Sequence, residues 1–433
     1  MGPGFAGSFF VNRAHPCTPG DGDHTGVMPS PDDVSLFGQT TYHRRFAPFG
    51  IRQADRFSHL FILGKTGSGK SSLLETLARA DLEAGRGFAF IDPHGDVADR
   101  LVAAVPEGDR ARLIYLNAPD RTQPFGYNPL RRVRDDLIPL AASGVIETFR
   151  KLWSQAWGTR MEHILRNSVY AFLEQDHATL ADIPRLYADK AFRQAIARSV
   201  RNPVVRAFWT KEYPAYPPRL QAEMIAPVLN KLGAVLSDPT LYRMLVEPKE
   251  ELRFRRLMDG GNILIVNLAK GRLGEDSASA LGSLLISTLG LAALSRLDTP
   301  EADRRPFHVF ADEFQTFTTL AFASQMAELR KVRTSLTLAT QHLAQMDDEV
   351  RHAVIGNAGS LISFRLGAED AGVIAKEFQP VFGVEDLINL PNRHFYTRLM
   401  IDGSPSRPFS GRTMPLPDIT SGSAAAKEGS KKD

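Results

Sequence analysis

The chain has a single cysteine, Cys17, in 433 residues. One thiol cannot close an intramolecular disulfide, so packing must hold the fold, and a reducing compartment is indicated. Charge of one sign is also lacking. Lys and Arg number 52 against 49 Asp and Glu, a formal net charge of +3. That balance permits a nucleic-acid partner without arguing for one. No run approaches the ~20 apolar residues of a membrane helix. The best candidate, Leu281 to Leu294, is short, carries Ser283, Ser287 and Thr288, and reads as a buried helix. The N-terminus lacks the charged stretch and apolar run of a secretory leader. There is no internal repeat. His94, His342 and His352 show no metal-ligand spacing to cysteine or to a second histidine, so no zinc is expected.

What is present is the composition of a globular protein, 43% hydrophobic and 23% charged. The length exceeds one ordinary core and suggests two or more domains. Both ends read as loose: a flexible N-terminal arm over 1–36, rich in Gly, Pro and Asp, and a disordered tail over 413–433 that ends TSGSAAAKEGSKKD. Between them, apolar strand-like runs lie at 59–63, 87–91, 112–116, 262–268, 306–311, 335–339, 360–364 and 395–401. Helical periodicity separates most of them. Strands alternating with helices predict an α/β fold, with a mainly parallel sheet covered by helices on both faces. One region breaks the alternation. From 131 to 258 helix follows helix, as in RMEHILRNSVYAFLEQ and QAEMIAPVLNKLGAVL, which carry apolar residues at three- and four-residue spacing. We therefore expect a nucleotide-binding domain in two parts, 37–130 and 259–412, with an inserted all-α domain over 131–258.

The nucleotide expectation comes from HLFILGKTGSGKSSLLETL, residues 59–77. Gly64, Lys65, Thr66, Gly67, Ser68, Gly69, Lys70 and Ser71 fit G-x-x-x-x-G-K-[ST], between an apolar strand and a helix. Glycines let successive N–H groups point at phosphate oxygens, and the helix adds its positive end. Lys70 should reach the β- and γ-phosphates, Ser71 should take a place on Mg²⁺, and Ser72 completes the loop.

A second strand, FHVFADEF at 307–314, ends in two carboxylates. Such strand ends face the crevice where parallel sheets bind ligands. Asp312 would hold Mg²⁺, and Glu313 would polarise or position the water that attacks the γ-phosphate. The alternative is an ordinary exposed Asp-Glu pair. Asp92, in FAFIDPHGD, closes the strand after the phosphate-loop helix and could lie beside the γ-phosphate or cap the following helix. Gln341, ending TLTLATQ, could sense the γ-phosphate, or be a turn residue. Arg330, in ELRKVR, is either solvated or an arginine finger offered to a neighbouring subunit.

The ordered set GKTGSGKSS, FIDPHGD, NILIVNL, HVFADEF, ELRKV and LATQ resembles the HerA/FtsK branch of P-loop motor ATPases. Within that branch it is most similar to the soluble ATPase domain of type IV secretion and conjugation coupling proteins of the TraG/TraD kind, over roughly 37–410. The resemblance implies a RecA-like P-loop NTPase core with a helical insertion between the two Walker motifs. It implies a ring, usually a hexamer, with ATP between subunits and DNA in the central channel. It places Lys70 and Ser71 at the Walker A pair, Asp312 and Glu313 at the Walker B pair, Gln341 at the sensor glutamine, Arg330 at the trans-acting arginine and Asp92 at a second acidic position. One departure stands out. Coupling proteins usually begin with two membrane helices, and none is seen here. The expectation is a cytoplasmic protein, recruited to the inner face of the membrane by a partner or acting in the cytoplasm.

Two function classes follow. One is an ATP-hydrolysing translocase that pumps DNA, with a secretion-channel or relaxase partner, or a HerA-like translocase of DNA end processing or defence. The other is an assembly ATPase whose nucleotide state switches protein contacts without DNA transport. Candidate DNA contacts are Lys270 and Arg272; Arg253, Arg255 and Arg256; and Arg131, Arg132 and Arg134, each of which could equally be ordinary charged surface. Arg160 and His163 read as one face of a helix packed over Trp153 and Trp157.

Overall fold

The computed structural model describes residues 30, 32–41, 46–154 and 157–416. The expected arm over 1–29 and tail over 417–433, and Cys17, lie outside the described residues.

Eleven strands form one sheet. In chain order they are β1 (Val34–Thr40), β2 (Pro48–Arg52), β3 (Leu60–Leu63), β4 (Gly87–Asp92), β5 (Leu113–Asn117), β6 (Ile263–Asn267), β7 (Phe307–Ala311), β8 (Thr334–Thr340), β9 (Ser360–Ser363), β10 (His394–Arg398) and β11 (Phe409–Thr413). Across the sheet they run β2-β1-β11-β10-β9-β3-β8-β7-β4-β6-β5. The seven from β9 to β5 are parallel. The sequences LFIL, GFAFID, ILIVN and FHVFA have no polar alternation because both faces of these strands are buried. The remaining four strands pair antiparallel and extend the sheet on one side.

That extension corrects two expectations. The arm was taken to reach residue 36 and the tail to begin at 413, yet Val34–Leu36 belong to β1, and Thr413 closes β11, paired with Gly38. The partners are some 375 residues apart by simple subtraction, so no local pattern announces them. β1 is also tied down by charge. Arg56 grips Asp81 with two parallel hydrogen bonds of 2.6 and 2.8 Å, Arg86 adds a third at 3.2 Å, and Gln53 donates to Ser35 Oγ at 2.9 Å. All five side chains are buried.

Between β5 and β6, every described element of three residues or more is helical. Among these helices, Ile138–Leu152 packs on Thr159–Leu173 and on Glu275–Leu294, which lies after β6. Trp153 stacks on Phe149 at 4.5 Å, and Trp209 donates to the Asn167 carbonyl from a buried cluster with Tyr187 and Tyr213. The helix Glu275–Leu294 corrects the reading of a short apolar run. It starts six residues before Leu281, and the span to Asp298 is long and apolar enough to cross a membrane, with mean hydropathy 1.7. Of the 18-residue window in that span that carries this hydropathy, 72% is buried inside the body. Phe317 lies so close to Gly282 that a Cβ there would come within 2.3 Å of its ring.

Candidate active site

The parallel strands deliver the candidate residues in spatial order at one edge of the sheet. From neighbour to neighbour, β3 leads into the phosphate loop, β8 into Gln341, β7 into Asp312 and Glu313, β4 into Asp92 and His94, and β6 into Lys270. Parallel pairing brings all five carboxyl ends to the same edge, the usual ligand crevice.

The phosphate loop turns at Gly67 (φ 73°) and Gly69 (φ 124°), left-handed conformations that a side chain would strain. It is stapled by Lys65 N–H to the Arg365 carbonyl (2.9 Å) and Arg393 N–H to the Ser68 carbonyl (2.8 Å). The helix Lys70–Glu83 starts immediately after it. The Lys70 ammonium folds back on the loop and donates to the carbonyls of Gly64 (2.6 Å) and Lys65 (3.2 Å). Burial pushes the Lys70 ammonium below its ordinary pKa, against the pull of Asp312 and Glu313. Ser68 Oγ is buried without a hydrogen-bond partner among the described residues, inside the cradle. Lys65 and Thr66 are exposed on its rim.

Ser71 Oγ donates to Asp312 Oδ2 at 2.6 Å. A hydroxyl and a carboxylate held face to face are hard oxygen donors of the kind Mg²⁺ takes, so the residues present fit the ion. Burial raises the Asp312 carboxyl, while the Ser71 hydrogen bond and the Lys70 charge oppose the rise.

Glu313 has φ 45°, in the left-handed region for a residue with a Cβ. Such strain is kept only where the surroundings enforce it. Its carboxylate is held from three loops. His94 Nε2 lies 2.8 Å from Oε1, Gln341 Nε2 donates to the same oxygen, and Lys270 Nζ donates to Oε2 at 2.6 Å. Burial would raise the carboxyl, but the hydrogen bonds from Lys270 and His94 outweigh it and hold the group below its ordinary value. The amide oxygen of Gln341 accepts from Thr66 Oγ1 at 2.8 Å, so Gln341 bridges the phosphate loop to Glu313.

Asp92 is buried, and its carboxylate is taken up by the chain that follows. Oδ1 accepts from His94 N–H, and Oδ2 accepts from Val97 and Ala98 N–H, each at 2.9 Å. Of the two roles left open by its position, this geometry is the cap, at the start of the helix Asp96–Ala104.

Arg330 lies away from this group. It is exposed, opens a short 3₁₀ turn just before β8, and makes no ion pair or side-chain hydrogen bond among the described residues.

The basic clusters come out differently from the sequence reading. Lys270 is engaged by Glu313, leaving Arg272 exposed and unpaired among the described residues. The clusters at 131–134 and 253–256 converge on one cavity of about 340 Å³. They are largely neutralised there: Arg131 and Arg253 pair with Glu251, Arg132 with Asp176, Arg134 with Asp136 and Asp298, and Arg255 with Asp259 and Asp298. Arg256 alone of the six is unpaired among the described residues. Arg160 and His163 face Glu223 and Glu212, as surface residues do. No cluster of potential metal-ligating His, Cys, Asp and Glu occurs among the described residues.

Sequence reasoning missed His94 and gave Lys270 a different task. Both follow strands that end at this edge, in FIDPHGD and NLAKGRL, and that shared edge was the available signal.

No family model matches the chain, and no curated protein matches it by sequence. Solved structures do match. The plasmid coupling protein TrwB in complex with a non-hydrolysable ATP analogue gives a TM-score of 0.60 at 19% identity, over 88% of this chain and 89% of that one. TrwB in complex with ADP and Mg²⁺ gives 0.59 at 18%, over 88% and 89%. VirB4 of Thermoanaerobacter pseudethanolicus gives 0.58 at 14%, over 92% and 99%. At these identities the likeness is one of fold, the RecA-like P-loop architecture with its helices around a mostly parallel sheet.

Proposed function

We propose that this chain is an Mg²⁺-dependent ATPase of type IV secretion or conjugation, working as a ring that drives DNA through its channel. The observation that carries the reading is the order of the five neighbouring strand ends, which lines up a phosphate cradle, a bridging amide and a carboxylate pair. TrwB, a bacterial conjugative coupling protein that shares the fold, has been solved with a non-hydrolysable ATP analogue and with ADP and Mg²⁺.

In this reading Gly64 to Ser72 cradle the phosphates through backbone N–H groups, and Lys70 exchanges two carbonyls for phosphate oxygens. Ser71 and Asp312 hold Mg²⁺, which supplies charge neutralisation on the phosphates. Glu313 orients the attacking water and takes its proton, and Gln341 reports the state of the phosphate loop to Glu313. Asp92 keeps the β4 end in place by capping its helix. Arg330 is offered to the site of a neighbouring copy. A relaxase or channel protein at the inner face of the membrane is the partner that fits.

The neutralised arginine clusters favour a second reading, an assembly ATPase that moves no DNA. Turnover measured with and without DNA separates the two. A motor shows hydrolysis raised by DNA and a salt-sensitive DNA affinity, and Lys70→Ala abolishes turnover. Turnover indifferent to DNA, with no DNA retained at low salt, would leave the assembly role.

A further inference from the structure

The cavity of about 340 Å³ where the two arginine clusters converge has a wall of two characters. One part is aliphatic. Leu140, Ala141 and Val145 come from the helix Ile138–Leu152, and Leu284, Leu291 and Ala292 from the helix Glu275–Leu294. The other part is basic. Arg131, Arg132 and Arg134 lie on the chain that runs from β5 into the helices, and Arg253, Arg255 and Arg256 on the chain that returns to β6. Among the described residues, Glu251 is the one carboxylate in the wall, and it is split between Arg253 at 2.9 Å and Arg131 at 3.4 Å. The remaining counter-charges stand outside the wall, and two of them are shared. Asp298 serves Arg134 and Arg255, and Asp259 serves Arg255 and the buried Arg296. Arg256 is exposed and has no partner among the described residues.

Each part of that wall asks for a different half of a ligand. Crowded guanidiniums with shared counter-charges gain from an added anion, and the planar fork of arginine matches a carboxylate with two parallel hydrogen bonds. Arg253 Nη1 and Ser287 Oγ, both on residues of the wall, are buried without a hydrogen-bond partner among the described residues, so donors remain to be satisfied here. The aliphatic part gains only from apolar surface that displaces water. A DNA backbone, polar throughout, would use the arginines and leave that part unfilled. The volume falls at the lower end of the ~300–1,000 Å³ of small-molecule sites, which combine an apolar lining with a few polar groups that fix orientation.

We propose that this cavity is a binding site for a small amphipathic anion, a carboxylate on an aliphatic chain. The chain lies against the two helices, and the carboxylate meets the arginines, with Arg256 as the partner that no acid of the protein occupies. The occupant touches the chain entering the helices and the chain leaving them, so it sits at the joint between the helices and the sheet. The site is separate from the phosphate loop and does not depend on ATP hydrolysis.

The test is isothermal titration of the nucleotide-free full chain with octanoate, below the concentration at which it forms micelles. Binding should saturate at one octanoate per chain. Each methylene taken from the tail should weaken it about fourfold, the equivalent of ~0.8 kcal/mol. Octanol, which keeps the tail, and acetate and inorganic phosphate, which keep only a charge, should bind at least tenfold more weakly. Arg256→Glu, an exposed change that spares the packing, should weaken octanoate at least tenfold. Ala141→Leu, which narrows the cavity, should do the same, with chemical unfolding in the absence of ligand showing that the variant is folded. Octanol bound as tightly as octanoate would overturn the anion site, and acetate or phosphate bound as tightly would overturn the apolar one. Uptake that never saturates, or that both variants leave unchanged, would make the binding adventitious and overturn the proposal. An ATPase that fails to turn over would leave these results where they stand.

Discussion

At the scale of the residue, two buried histidines outside the site make the fold sensitive to acid. His59 Nε2 meets the Met326 carbonyl at 2.7 Å, and its Nδ1 accepts from Leu336 N–H at 3.2 Å. Those partners fix one neutral tautomer, since a second ring proton would face the Leu336 N–H. Burial pushes His59 down to about 4. His308 shares its Nδ1 with Ser335 Oγ, and burial, reinforced by Arg56, pushes it down to about 3. A histidine whose folded pKa lies below its unfolded one is protonated first in the unfolded chain. Its contribution to stability is whole above about 6.5 and is lost as the pH falls from there towards the folded value. Between about pH 6.5 and pH 4.5 each loses on the order of 3 kcal/mol. Urea unfolding at pH 7.5 and pH 4.5 should show the loss, and a His59→Gln, His308→Gln double variant should flatten the profile across it. An equally steep profile in that variant would place the acid sensitivity elsewhere.

At the scale of the element, the buried pair of arginines on Asp81 is the joint between the phosphate-loop helix and the antiparallel edge of the sheet. Asp81 lies in the last turns of Lys70–Glu83, and burial alone would raise its carboxyl, but Arg56 holds it below its ordinary value. Asp81→Ala leaves the buried Arg56 guanidinium without a counter-charge and Arg86 with only Asp33, at 3.4 Å, a loss of about 3–5 kcal/mol. Chemical unfolding checks the magnitude, and a loss under about 1 kcal/mol would mean that water replaces the carboxylate there. This joint also marks the limit of what the sequence disclosed. Eight of the eleven strands, β3 to β10, announced themselves as short stretches rich in apolar residues beside a turn. The phosphate loop and the Asp312-Glu313 pair stood out because their chemistry is local in sequence. β1, β2 and β11 went unread because VSLFGQT and FSGRT draw their stability from one another across nearly the whole chain. His94 and Lys270 went unassigned for a related reason: each meets Glu313 from a different strand end, and only the order of strands in the sheet brings those ends together. Asp92 had two open roles in the sequence, and hydrogen bonds of equal length to Val97 and Ala98 put its carboxylate on the helix.

At the scale of the whole molecule, the question is whether one chain can complete the site. β8 separates Arg330 from Gln341. Its seven residues, at ~3.3 Å each, span about 20 Å, longer than an arginine side chain can cover. Arg330 sits at the opposite edge of the sheet from the phosphate loop and is exposed without an ion pair among the described residues, as a group offered to another copy would be. A ring in which each seam takes Lys70 and Glu313 from one protomer and Arg330 from the next accounts for both facts. It makes a mixing experiment decisive. Arg330→Ala and Lys70→Ala proteins should each be inactive alone. Mixed in equal amounts, about a quarter of seams should by chance join an intact Lys70 to an intact Arg330, and turnover should return in proportion. Turnover that stays absent although mixed rings have formed would mean that Arg330 serves its own chain or none. Protein that stays monomeric with ATP and Mg²⁺ yet turns over at full rate would remove the seam itself.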